Sequence, residues 1–385
     1  MRITRFEVIH VRPRYSFLLV HTDDPSIVGI GEACLEGKAR VVEAAVQEFE
    51  QAIVGDDPRD IERIWLKLYR GTFYPSGSIL CSAISAIDQA LWDILGKSLG
   101  APVHVLLGGR VRDRVRVYKH VNVGDWEPFD ESTYDEHVTE LMAVARAAVA
   151  EGYTMIKTAL PGPAQQLESR SFVRRQASRF AALREAVGDD VDIAIDFHGR
   201  VAPALAKQLI DAIEPYSPMF VEEPCLPENV DAMADIARST NVPIATGERL
   251  FTRWGFRDVL ESRAAAVLQP DLAHCGGISE ARKIAALAET YFVGFAPHNP
   301  LGPVNLAASI HLSLTVPGFV AQEQITLGEG LITAPFELVD GTIAAPTAPG
   351  LGVEIDWDAV EHERYDGGWQ IPTWTNKQDG ALAPW

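Results

Sequence analysis

At 385 residues with 47% hydrophobic side chains, the chain is long enough to bury more than one sizeable core. A formal net charge of -19 repels phosphate backbones and anionic lipid, so nucleic acid and membranes are excluded as expected partners and small molecules remain. The four cysteines, Cys34, Cys81, Cys225 and Cys275, are scattered and form no C-x-x-C pair, and no signal peptide or membrane span is read; the expected location is a reducing cytoplasm.

Three strand-like runs come first, at 3–11, 16–21 and 27–34. Helical patterns follow at 39–54, 61–69 and 81–95, the last carrying Ile84, Ile87, Leu91 and Leu95 at helical spacing. This reads as an α+β unit over residues 1–112. The rhythm then changes. Short apolar runs at 116–121, 155–160, 193–197, 219–224, 243–248, 266–271, 293–298 and 319–323 alternate with helix patterns such as 203–213, 230–239 and 279–291. Runs of this kind are buried parallel strands, and about eight βα units in series predict a closed (β/α) barrel over residues 113–330. An open doubly wound sheet is the competing architecture. After residue 331 the chain returns to turns, prolines and aromatic residues (Trp357, Trp369, Trp374, Trp385), a tail expected to pack back on the first unit.

The chemistry is read from the strand ends. Asp196, Glu222 and Glu248 close three successive strands, 26 residues apart each time, and Asp271, His298 and Glu323 close the next three. In a barrel the carboxyl ends of the strands form one ring, where active sites sit. Three carboxylates aimed at one point repel each other unless a cation lies between them, and a hard divalent ion with oxygen ligands, Mg²⁺, suits them. The competing reading is helix caps or surface ion pairs at strand exits. Strand alternation carries His198 to the same side as Asp196, and neighbouring strands bring His298 beside Asp271, which would fix the imidazole's tautomer. Lys157 ends the second barrel strand, where it would meet a substrate carboxylate or the metal-ligand carboxylates, or serve as an ordinary ion-pair partner. The other histidines, His120 among them, are read as structural, and Gly276-Gly277 as a turn into a helix.

Several of these stretches form a pattern: Asp196-Phe197-His198-Gly199-Arg200, Val221-Glu222-Glu223-Pro224, Gly247-Glu248-Arg249, Gln269-Pro270-Asp271, Ala296-Pro297-His298-Asn299-Pro300-Leu301-Gly302-Pro303 and Gln322-Glu323-Gln324. Arg14 to Leu18, Ser85 to Asp93 and Pro349 to Glu354 add to it. With these motifs the sequence resembles the enolase superfamily and, within its mandelate-racemase-like group, the D-galactonate dehydratase family. The resemblance implies a modified (β/α)7β TIM-like barrel with an α+β capping domain formed from both termini. It implies one Mg²⁺ per subunit on Asp196, Glu222 and Glu248, His298 paired with Asp271 as the base and His198 as the general acid. Glu323 would hydrogen-bond an enediolate, Arg14 would lie over the distal end of the substrate, and the chain would assemble as a homo-oligomer. The expected reaction is dehydration of a sugar acid, D-galactonate or a close aldonate, to a 2-keto-3-deoxy acid. The alternatives are an acid-sugar epimerase or racemase, and a dehydratase-like protein of low or no activity. Two departures bear on the substrate. The usual K-x-N-G ending of the second strand reads Lys157-Thr158-Ala159-Leu160, which also excludes a K-x-K lysine base, and the regions 124–132 and 161–175 are longer than usual.

Overall fold

A computed structural model describes residues 1–123, 133–377 and 379–383; the long 124–132 region and Trp385 fall outside them. The chain opens with an antiparallel sheet of β1 (Ile3–Val11), β2 (Tyr15–Thr22) and β3 (Val28–Glu32). Against it pack α1 (Ala39–Ile53), α2 (Ile61–Arg70) and α3 (Ser78–Leu99). In α2 the buried residues are Ile61, Ile64, Trp65, Leu68 and Tyr69, the i, i+3, i+4 stripe that makes a helix one-sided. β3 lies hard against α3. A methyl at Gly31 would stand 2.0 Å from the Ala86 carbonyl oxygen, so only glycine admits the contact. By length and composition α3 could cross a membrane, a point the sequence reading missed, but most of it is buried here; Asp88, Gln89 and Asp93 interrupt its apolar surface and are themselves buried.

A short α4 (Val103–Leu106) leads to the barrel. Its strands are β4 (Arg114–His120), β5 (Met155–Ala159), β6 (Asp192–Asp196), β7 (Val221–Glu222), β8 (Ile244–Thr246), β9 (Val267–Leu268), β10 (Gly294–Phe295) and β11 (Gln322–Gln324). Between them run α5 (Tyr134–Ala150), α6 (Arg170–Val187), α7 (Pro203–Ile213), α8 (Val230–Arg238), α9 (Thr252–Glu261), α10 (Gly277–Thr290) and α11 (Pro303–Ser313). Every strand pair from β4 to β10 is parallel, and β11 pairs with β4. The Phe295 amide donates to the Gly318 carbonyl and the Val320 amide to Phe295, which closes the ring. The open-sheet alternative is therefore excluded. Local chemistry starts the helices: Ser169 caps α6, Asn229 caps α8, and Pro203 opens α7 where its missing N–H costs nothing. Inside the barrel, Tyr118, Met155, Ala194, Phe220, Ala245, Val267, Ala296 and Ala321 form a packed layer, so the strands enclose side chains rather than a pore.

The tail serves both units. β12 (Leu338–Val339) and β13 (Thr342–Ala344) form a hairpin that pairs antiparallel with the start of β4. After α12 (Trp357–His362), the chain meets the first sheet, where the Arg12 amide donates to the Glu363 carbonyl at 2.9 Å and the Tyr365 amide to His10 at 3.2 Å. All four cysteines are buried and unpaired.

Candidate active site

Asp196 is the last residue of β6, Glu222 of β7, and Glu248 follows β8. Their carboxylate oxygens lie within 4.8 Å of one another. Asp196 and Glu222 are buried, Glu248 is partly buried, and Asp196 Oδ2, Glu222 Oε1 and Glu248 Oε2 make no well-formed hydrogen bond. Burial, then Asp196, holds the Glu222 carboxyl well above the usual carboxylate range, and burial raises Asp196 to about 6 despite the lysine facing it. Two buried carboxylates and a partly buried one, each with an oxygen outside any well-formed hydrogen bond, converge on one point and match the ligand set of a hard divalent cation. A second cluster, Glu222, His298 and Glu323, overlaps the first.

The two imidazoles flank this cage. His198 Nε2 lies 3.0 Å from Asp196 Oδ2. The strand alternation invoked for His198 does not operate, because β6 ends at Asp196. The Asp196 carboxylate instead accepts the His198 amide at 2.7 Å, and the backbone turns through φ 51° at His198. An Asx turn at the strand end delivers the ring to the same side. On the other flank His298 Nδ1 is 2.9 Å from Asp271 Oδ2, and Nε2 is 3.2 Å from Glu248 Oε2 and 3.9 Å from Glu323 Oε2. Burial works against protonation of His298, but Glu323, Glu248 and Asp271 outweigh it and hold its pKa well above the usual histidine value. His198 goes the other way: burial, then Arg200 and Lys157, holds it well below. The two rings thus carry opposite proton preferences, His298 for the imidazolium and His198 for the neutral ring, the reverse of the base and acid forms that the resemblance implies for them.

Lys157 is buried among the carboxylates, with Nζ 2.8 Å from Glu222 Oε2, 2.7 Å from Glu323 Oε1 and 3.6 Å from Asp196 Oδ2. Among the contacts expected for Lys157, those to the metal-ligand carboxylates Glu222 and Asp196 are present. Burial disfavours its charge, yet Glu222 and Glu323 hold its pKa well above that of a free lysine. Glu222 is raised all the same, because burial and Asp196 outweigh the lysine. Glu323 responds oppositely: Lys157, His298 and His120 overcome its burial and keep it ionised. Its Oε1 meets Lys157 and His120 Nε2, and its Oε2 accepts the Asn299 amide at 2.9 Å. His120, left among the structural histidines by the sequence reading, therefore belongs to this ring. It ends β4, the first barrel strand, and the strand-end rule that found the others would have found it. Asn122, two residues on, accepts the Ala159 amide at 2.7 Å, so an asparagine carboxamide stands next to the position where Ala159 departs from K-x-N-G.

Arg14, between β1 and β2, reaches the barrel mouth. Its Nη2 donates to the Pro300 carbonyl at 3.2 Å and its guanidinium lies 5.7 Å from the Trp369 ring centroid. The tail's Trp374 holds Arg200 at 4.8 Å and fills the space that a side chain at Gly162 would need. The tail, expected to pack back on the first unit, thus also reaches Arg14 and Arg200 at the barrel mouth.

A closed barrel with a carboxylate cage and two imidazoles of opposite proton preference at its carboxyl mouth defines an acid–base barrel enzyme. Residues 8–108 match the mandelate racemase/muconate lactonizing enzyme N-terminal domain, and residues 140–359 match the enolase C-terminal domain-like family. The protein belongs to the mandelate racemase/muconate lactonizing enzyme family of the enolase superfamily. It is 44% identical to a D-galactonate dehydratase of Xanthomonas oryzae pv. oryzae (strain PXO99A) and 45% identical to one of Ralstonia nicotianae (strain ATCC BAA-1114 / GMI1000), each alignment covering 100% of both chains. A mandelate racemase/muconate lactonizing enzyme-like protein from Rubrobacter xylanophilus DSM 9941 superposes with a TM-score of 0.88 at 35% identity, over 96% of this chain and 99% of that one.

Proposed function

We propose that the protein dehydrates a sugar acid, D-galactonate or a close aldonate, to a 2-keto-3-deoxy acid, with one Mg²⁺ per subunit. The observation that carries the reading is the convergence of Asp196, Glu222 and Glu248 between His198 and the His298–Asp271 pair. The full-length relatives named D-galactonate dehydratase support the substrate class. In the same proposal, residues 1–112 and 331–385 make the cap, 113–330 make the barrel, and the chain works as a homo-oligomer.

Asp196, Glu222 and Glu248 would hold Mg²⁺. When bound, the ion supplies Lewis acidity at the substrate carboxylate, which lowers the cost of removing the weakly acidic proton beside it. His298 takes the C2 proton on Nε2 from its neutral form, the tautomer in which Nδ1–H donates to Asp271. The electron pair from the C2–H bond spreads into the carboxylate as an enediolate, which Glu323, in contact with Lys157 and His120, would hydrogen-bond in its protonated form. His198 then protonates the C3 hydroxyl as its C–O bond breaks, because hydroxide is a poor leaving group. Water departs and the enol becomes the 2-keto acid. Arg14 meets the distal hydroxyl groups from the cap side.

The test is formation of 2-keto acid from D-galactonate and a panel of aldonates by the purified protein with Mg²⁺. Turnover is expected for the parent and none for His298→Asn, with Mg²⁺ affinity by calorimetry unchanged in the variant. An active His298→Asn removes the assigned base. Deuterium entering C2 of recovered substrate without water loss would favour epimerisation instead.

A further inference from the structure

A buried amide chain crosses the seam between the first sheet, α3 and the barrel, and ends on Asp271. Its members, Glu32, Gln89, Asn305 and Asp271, are all fully buried. Glu32, at the end of β3, accepts the Gly302 amide at 2.5 Å and the Asn305 amide at 2.9 Å, and so caps α11. Gln89, on α3, accepts the Glu32 amide at 2.9 Å on its carbonyl oxygen. Its NH2 donates to the Leu272 carbonyl at 3.1 Å and to Asn305 Oδ1 at 2.8 Å. Asn305 Nδ2 donates in turn to Asp271 Oδ1 at 3.0 Å and to Asn299 Oδ1 at 2.9 Å.

The direction of every bond in this chain is fixed. A backbone N–H can only donate and a backbone carbonyl can only accept, so Glu32 and Leu272 settle which way the Gln89 amide faces. Gln89 then presents N–H to Asn305, whose oxygen must face it, and the Asn305 N–H groups must face Asp271 and Asn299. Asp271 Oδ1 receives Asn305 together with the Ala273 amide at 2.7 Å, which leaves Oδ2 for His298 Nδ1 at 2.9 Å. Without Asn305, Oδ1 keeps only the Ala273 amide, and the rotation of the carboxylate that orients the imidazole is less restrained.

We infer that Asn305, itself oriented by Gln89, is a positioning residue for the Asp271–His298 pair, so that seating of the first sheet and α3 on the barrel sets the alignment of the base. This rests on the proposed role of His298. Asn305 touches the carboxylate that holds the base, and Gln89 acts one amide further back.

The experiment uses the full-length Mg²⁺-loaded protein turning over D-galactonate. It compares Asn305→Ala, Gln89→Met and the double variant with the parent, measuring kcat, KM, Mg²⁺ affinity, thermal melting and the pH–rate profile. The expected result is a fall in kcat of ~10- to 100-fold for Asn305→Ala, a loss in the range typical of residues that orient a ligating or catalytic group from behind. KM and Mg²⁺ affinity stay unchanged, and the limb of the pH profile that reports the base is displaced. Gln89→Met gives a smaller loss in the same parameters, and the double variant is no slower than Asn305→Ala, because both act through one chain. A purely structural role lowers the melting temperature and leaves kcat of the folded enzyme within threefold (about 0.7 kcal/mol); that result, or losses that multiply in the double variant, overturns the inference. If Asn305→Ala does not fold, Gln89→Met, close in shape to the parent side chain, decides by the same criteria. Activity in His298→Asn would instead overturn the assignment of the base on which the inference rests, whereas an inactive His298→Asn beside a fully active Asn305→Ala overturns the inference alone.

Discussion

Replacing Lys157 by methionine is expected to weaken the metal-free protein and strengthen its grip on Mg²⁺. At an effective dielectric of about 20, contacts of 2.7 and 2.8 Å to Glu323 and Glu222 each contribute about 6 kcal/mol of gross attraction, and the 3.6 Å contact to Asp196 about 5. Desolvation of the ammonium offsets much of this, and removing one partner from a buried ionic cluster costs a net ~3–5 kcal/mol. That loss should appear in urea unfolding without Mg²⁺. With saturating Mg²⁺ it should shrink, because the ion supplies charge to the same carboxylates. Linkage then requires the variant to bind Mg²⁺ more tightly, about tenfold for each 1.4 kcal/mol recovered. Catalysis should fall all the same, since Glu323 loses its closest cation. Calorimetric titration of both proteins decides the matter. A metal-free loss below about 1 kcal/mol, or weaker Mg²⁺ binding by the variant, would refute the electrostatic account.

Three further outcomes follow from the same structure. His120→Ala removes an N–H partner from ionised Glu323, a hydrogen bond to a charged group worth about 1.5–3 kcal/mol, so kcat/KM should drop by about 10- to 100-fold with Mg²⁺ affinity intact; unchanged kinetics would return His120 to a packing role. Gly277→Ala meets φ 81° and a Cβ position 2.4 Å from Asp88 Oδ2, and should destabilise by about 2 kcal/mol or more in a denaturant titration. Burial pushes the Asp88 carboxyl up to about 7 from 3.8, with Ser279, Lys283 and Glu62 the groups it faces. The folded protein therefore holds this proton more tightly than the unfolded chain, so its contribution to stability is full below pH 3.8 and is lost as pH rises through about 7. Asp88→Asn should remove that slope, gaining on the parent by on the order of 3 kcal/mol between pH 5 and pH 8; parallel stability curves would sink the assignment.

The strand ends were the legible part of this sequence. One βα unit between Asp196, Glu222 and Glu248 announces both the barrel and the cage, because a barrel repeats its ring position once per unit. His198 was placed correctly for the wrong reason: alternation presumes that the strand continues, whereas the Asp196 side chain bends the backbone at that residue. His120 was missed although it ends β4, because the strand-end rule was applied from the carboxylate spacing onward and its partner Glu323 joins it only when β11 closes against β4. The amide chain through Gln89 and Asn305 was equally invisible. Gln89 and Asn305 are ordinary helix members until the fold brings their side chains to 2.8 Å of each other. The tail lacked any period to read, since Trp369 and Trp374 act through contacts with Arg14 and Arg200 rather than through a repeat.

Trp369 and Trp374 also bear on how this enzyme could change its preferences. The groups proposed to handle protons are rooted at strand ends or in turns pinned to them, whereas irregular chain from the terminus, the Arg14 turn and the loop at Gly162 lies around them. Segments of that kind accept insertion and exchange far more readily than a closed ring of strands. Selection can therefore recut the doorway for a different sugar acid while the hearth behind it stays as it is.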